Sequence, residues 1–71
     1  MYAVMFTEIT NAQAWIVYSK CMQLGIDYYS EYTANYNQNV ACGPMTNGDK
    51  NTLVHLFNDT AKTRILKEVE Q

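Results

Sequence analysis

The stretch Thr10–Gly25, TNAQAWIVYSKCMQLG, limits the possible folds more than any other part of the chain. Its start, interior and stop all signal one helix. Thr10 and Gln13 have the spacing of a capping box, in which the Thr hydroxyl accepts from the Gln13 amide and the Gln13 side chain reaches back to the Thr10 amide. Gly25 suits the left-handed position just past a helix, and Ile26 supplies the apolar residue that follows it. Between these ends, Ala14, Val17, Tyr18, Cys21 and Leu24 recur at helical spacing on one stripe, with Trp15 and Met22 along its flank. A helix with one apolar stripe needs a sheet or another helix to cover that stripe.

The flanking segments read as strands. In Tyr2–Ile9, Val4 and Phe6 alternate with Ala3, Met5 and Thr7, so both faces are largely apolar. The helix covers one face, which leaves the other for a second helix, a loop or a second copy of the chain. Ile26–Tyr36 alternates as a second strand, with Tyr28, Ser30, Tyr32, Ala34 and Tyr36 on one face. Asp27, Tyr29, Glu31, Thr33 and Asn35 take the other. Ile26 and Ala34 share the first face, so that face is expected to be buried and Tyr29 to meet water. A strand–helix–strand unit this short places its strands parallel, with a right-handed crossover.

Residues 37–51 look irregular, with turn formers at Asn37, Gln38 and Asn39 and breakers at Gly43-Pro44 and Asn47-Gly48. Val40–Cys42 is expected to add a short strand beside the second. Further on, residues 52–57 and 64–69 read as the arms of a β-hairpin around a turn at 58–62. The competing reading is a C-terminal helix from TAKTRILKEVEQ, where Ala61, Ile65 and Val69 make a stripe. The expectation is therefore an α+β fold: a strand–helix–strand unit followed by a β-hairpin, or by a C-terminal helix, with one small sheet packed on helix 10–25. As architecture alone, this resembles half of a ferredoxin-like domain and implies no function.

Seventy-one residues make a single domain over 1–71. A chain this short buries only about 60% of its unfolded surface, too little for both a core and a deep catalytic pocket. The formal net charge is −2, with no basic run to neutralise phosphates, which disfavours nucleic acid. No apolar run approaches the roughly 18 residues of a membrane span, and no signal peptide is visible. Two cysteines do not make a disulfide scaffold, so a reduced, cytoplasmic protein is expected. A chain that starts with Met and carries a complete fold is expected to be a stand-alone product, of a kind common among virus-encoded accessory factors.

Chemistry-bearing patterns are sparse. Cys21, Cys42 and His55 lack the close spacing of metal ligands, so no metal and no cofactor are expected. Cys42 and His55 are the only candidates for a thiolate and its imidazole base, and no orienting third group accompanies them. The three glycines match no phosphate-binding loop. The anomaly is tyrosine: six in the chain, four of them between Tyr28 and Tyr36. Such a row can stack bases, or it can offer a protein a large, rigid contact with a polar tip. Asp27 and Glu31 beside it favour protein over single-stranded nucleic acid. The sequence therefore points to a non-enzymatic protein-binding module, a small virus-encoded inhibitor or regulator that occupies a surface of a host protein. The contact residues it suggests are Ile16, Tyr29, Glu31, Asn37 and Asn39. A homodimer is the simplest cover for the open face of the first strand.

Overall fold

The computed structural model describes residues 1–57 and the backbone of residues 63–66. The elements run β1 (Tyr2–Ile9), α1 (Asn11–Leu24), β2 (Tyr28–Tyr32), β3 (Gln38–Met45), α2 (Asn47–Val54) and β4 (Thr63–Leu66). The four strands form one sheet in the order β2-β3-β1-β4, each antiparallel to its neighbours. This β-α-β-β-α-β order, with one strand inserted between the two that α1 connects, is the split β-α-β of ferredoxin-like topology.

The α+β architecture and the packing of one sheet on helix 10–25 are as the sequence suggests. The helix is built by the expected caps. The Gln13 amide donates to Thr10 Oγ1 at 3.1 Å, and the Thr10 amide donates to Gln13 Oε1 at 3.0 Å. Gly25 has φ +70°, and the Ile26 amide closes on the Cys21 carbonyl at 2.8 Å. Ala14, Val17 and Cys21 are fully buried against the sheet.

Several expectations need correction. β1 and β2 run in the same direction, but they are not neighbours, because β3 lies between them and pairs with both. The supposed short strand at Val40–Cys42 is the middle of this eight-residue central strand. Residues 52–57 do not form a hairpin arm: α2 runs through Val54, and bends follow. Thr46 begins that helix, its Oγ1 accepting from the Asp49 amide at 3.3 Å. Asn47-Gly48, a turn signal in isolation, is the first turn of α2. A strand does occur at Thr63–Leu66, but it pairs with β1 rather than with residues 52–57. The turn at 58–62 and the end of the suggested C-terminal helix lie outside the described residues.

β1 carries a bulge that its alternation conceals. Phe6 pairs with Val40 and Ile9 with Gln38, so Thr7 and Glu8 oppose the single residue Asn39. Glu8 takes φ +55°, and its amide donates to Asn39 Oδ1 at 2.9 Å. The extra residue turns Ile9 onto the same side as Val4 and Phe6, and all three are fully buried. They join Val40, Cys42, Met45 and Leu53 in a core beneath both helices. Among the described residues, Gln38 is the one buried polar side chain. Tyr18 donates its hydroxyl to Gln38 Oε1, and Gln38 Nε2 donates to Asn11 Oδ1 at 2.8 Å. Pairing of this kind removes the cost of burying an amide.

Candidate interaction surface

The core cluster joins α1 and α2 to the same side of the sheet. The register then assigns the rest. Tyr29 pairs with Ala41, which pairs with Met5, and Glu31 pairs with Asn39. Tyr29, Glu31, Asn39, Ala41, Met5 and Ala3 therefore share the face turned away from the helices. No described helix packs on that face. Tyr29 is 70% exposed there.

Beside Tyr29 the face is concave. Ala3, Ala41 and Gly43 carry little or no side chain, and with Tyr29, Asp27 and Pro44 they line a shallow depression of about 320 Å³ that is largely open to solvent. Gly43, in the lining of the hollow, lets β3 run close against β1. It sits where β3 bulges against β1, with φ +137°, and a Cβ added there would stand 2.9 Å from the Tyr2 carbonyl oxygen. The small residues of ACGP are a trace of this hollow in the sequence that its reading as a breaker passes over, and nothing in the sequence puts Ala3 beside them.

β2 is an edge strand. This overturns the expectation that the Tyr28–Tyr36 face is buried. Tyr28 does lie on the helix side, stacked on Tyr18 at 4.8 Å between ring centroids, with Trp15 edge-on to Tyr18 at 5.8 Å. Tyr32 shares that side, yet it is 72% exposed. α1 packs over β3, and its aromatic flank reaches only the Tyr28 end of the edge strand. Tyr36 is not in the strand at all. It stands in the turn with φ +61°, 85% exposed.

The suggested contact residues do not form one patch. Tyr29 and Glu31 are exposed on the open face, and Asn39 is half-buried beside them. Ile16 is 49% exposed on α1, on the opposite side of the sheet. Asn37 and Asn39 are tied to the bulge. Asn37 Nδ2 donates to Glu8 Oε2 at 3.1 Å, and Asn39 Oδ1 accepts from the Glu8 amide. Asn35 Nδ2 donates to the same carboxylate oxygen at 3.4 Å. Glu8, unremarked in the sequence, thus organises the β2–β3 turn.

The thiols and the imidazole are differently placed. Cys21 and Cys42 are both unbridged and buried, and their side chains share a hydrogen bond across the α1–β3 contact. That bond, and burial, push the Cys42 thiol well above its ordinary value. A reactive thiolate needs the opposite environment. His55 is exposed at the end of α2, its Nδ1 2.8 Å from the Asn51 carbonyl oxygen. Among the described residues, no three His, Cys, Asp or Glu side chains are grouped to hold a metal ion. No described helix is long and apolar enough to cross a membrane. Comparison with protein-family models, with curated proteins and with solved structures finds no match.

Proposed function

We propose that this chain is a non-enzymatic protein-binding module that inhibits or regulates a host protein by occupying its surface, with the open sheet face around Tyr29 as its contact surface. The observation that carries this reading is the pairing of an exposed Tyr29 ring with the adjacent hollow over Ala3, Ala41 and Gly43. A rigid aromatic next to a recess suits knob-and-pocket recognition of another protein, where a few aromatic anchors hold most of the binding energy. Glu31 at the rim adds a charge that selects orientation. Asp27 at the hollow makes the same surface unfavourable for a phosphate backbone, which supports protein over nucleic acid. The unbridged, buried thiols support a reducing, cytoplasmic setting.

The test is affinity capture from the natural host with wild-type bait and with Tyr29→Ala bait. The expected result is a partner that binds the wild type and is lost with Tyr29→Ala, while the two proteins unfold at the same urea concentration. A partner retained by Tyr29→Ala but lost with Ile16→Ala would move the surface to α1. Capture of nucleic acid, collapsing as salt is raised, would overturn the reading.

A further inference from the structure

The outer edge of β2 has a definite hydrogen-bonding pattern. The Thr33 amide donates to the Asn37 carbonyl at 2.9 Å, and the Gly43 amide donates to the Asp27 carbonyl at 2.9 Å. Both pairs fit the β2–β3 register, in which Tyr29 faces Ala41 and Glu31 faces Asn39. Odd-numbered residues of β2 therefore spend their backbone groups on β3. In an antiparallel strand the alternate residues point theirs the other way. Tyr28, Ser30 and Tyr32 thus present N–H and C=O groups along the edge that no described strand covers. Native edge strands are commonly blunted by Lys, Pro or a bulge. The sequence YYSEY has neither residue, and its register with β3 is unbroken.

We infer that β2 pairs antiparallel with β2 of a second copy, about a two-fold axis at Ser30, to make one continuous eight-stranded sheet. In this register Ser30 faces Ser30 of the second copy, and Tyr28 faces Tyr32 of the second copy. All three outward-pointing residues fall in hydrogen-bonded pairs, and all five residues of the strand are used. On the helix side, Tyr32 of one copy stands beside Tyr28 of the other. The Trp15–Tyr18–Tyr28 row then continues across the axis, and the bare Tyr32 ring gains a neighbour. On the open side, Tyr29 faces Glu31 of the second copy, so the phenol meets a carboxylate. Shifting the axis to Glu31 would set the two carboxylates opposite each other and shorten the overlap, which selects the Ser30 register. The open face stays uncovered, and its two hollows lie side by side on one sheet. This inference is independent of what protein the open face binds. A five-residue edge is a small interface, so the dimer forms with concentration.

Sedimentation equilibrium over a rising series of protein concentrations gives the dissociation constant, and site-directed cross-linking gives the register. Hydrogen-bonded antiparallel pairs hold their Cα atoms about 5.5 Å apart, within disulfide reach. Ser30→Cys is expected to form a cross-linked dimer on mild oxidation, whereas Tyr29→Cys and Glu31→Cys are not. Ser30→Pro removes an outward N–H without touching the β3 ladder, and it should raise the dissociation constant at least about tenfold. Tyr32→Lys, at an exposed site, should do the same without affecting the fold. Each variant's circular dichroism and urea midpoint establish that it is folded. A wild type that stays monomeric throughout, equal cross-linking at positions 29, 30 and 31, or a dimer indifferent to both Ser30→Pro and Tyr32→Lys would overturn the inference.

Discussion

Gly43→Ala tests the bulge beside the hollow. Gly43 has φ +137°, a conformation that side chains resist, at a cost of about 1–3 kcal/mol. Its new methyl would also stand 2.9 Å from the Tyr2 carbonyl oxygen and 3.1 Å from Ala3 Cα. Both obstacles are backbone atoms of the neighbouring strand, so no side-chain rotation relieves them. Overpacking of this kind costs a further 1–3 kcal/mol or so, and the sum is about 2–6 kcal/mol. A 71-residue domain has a total stability of roughly 4–10 kcal/mol, so the loss is a large fraction of it. With an m-value of about 1 kcal/mol per molar urea, the midpoint should fall by about 2 M or more. Two other glycines separate the two causes. Gly25 has φ +70° but open space around it, so Gly25→Ala should cost only the conformational strain, about 1 kcal/mol. Gly48 lies in the first turn of α2 with its nearest neighbour 4.0 Å away, so Gly48→Ala should raise the stability by up to about 1 kcal/mol and the midpoint with it. Equilibrium urea unfolding of the three variants gives the ranking. A Gly43→Ala midpoint no lower than that of Gly25→Ala would refute the close approach of β3 to β1 at Tyr2 and Ala3.

Exposure predicts a sharp contrast between two aromatics on the helix side of the sheet: Phe6→Ala should cost about 3–5 kcal/mol and Tyr32→Ala under about 1 kcal/mol, both read from urea midpoints of the monomer. Equal losses would return Tyr32 to the core. The dithiol predicts an alkaline dependence. The hydrogen bond to Cys21, and burial, hold the Cys42 thiol protonated in the folded state, while in the unfolded chain it ionises near pH 8.5. The folded state then binds more protons above that pH, so this contribution is intact below about pH 8.5 and is lost as pH rises, by up to about 1.4 kcal/mol per unit. The same bond lowers the Cys21 thiol, so the folded pair keeps one proton where the unfolded chain keeps none. Unfolding midpoints from pH 7 to 10 should fall more steeply for the wild type than for Cys21→Ala/Cys42→Ala, and parallel slopes would remove the buried dithiol from the account.

The sequence by itself determined the elements whose signals are local. The α1 caps at Thr10 and Gly25 are hydrogen bonds among residues a few positions apart, so their identities are sufficient to read them. The stripe of Ala14, Val17 and Cys21 follows from helical periodicity alone, and the alternation in β1 correctly put Val4 and Phe6 on one side. Tyr29 could be placed on the exposed face for the same reason, since period-two alternation needs no knowledge of the neighbours.

Only the tertiary structure decided what depends on neighbours. β3 lies between β1 and β2 because the chain returns antiparallel through the Thr33–Asn37 turn, and that turn is held by the Glu8 carboxylate from β1. The bulge at Glu8, which brings Ile9 into the core, cannot be read from alternation because it breaks it. Burial on β2 misled for a related reason. Tyr28 and Tyr32 share a side, but a helix of finite width covers only one of them. α2 was hidden because Asn47-Gly48 suits both a turn and a first helical turn, and the choice fell to Leu53, fully buried in the core with Phe6 and Ile9. The hollow on the open face is the furthest from the sequence: Ala3 and Gly43 are 40 positions apart, and only the β1–β3 register brings them together. Local signals fixed α1 and β1, whereas the helical state of α2, the strand order and burial were settled by long-range packing, where hydrophobic burial outweighs any local preference.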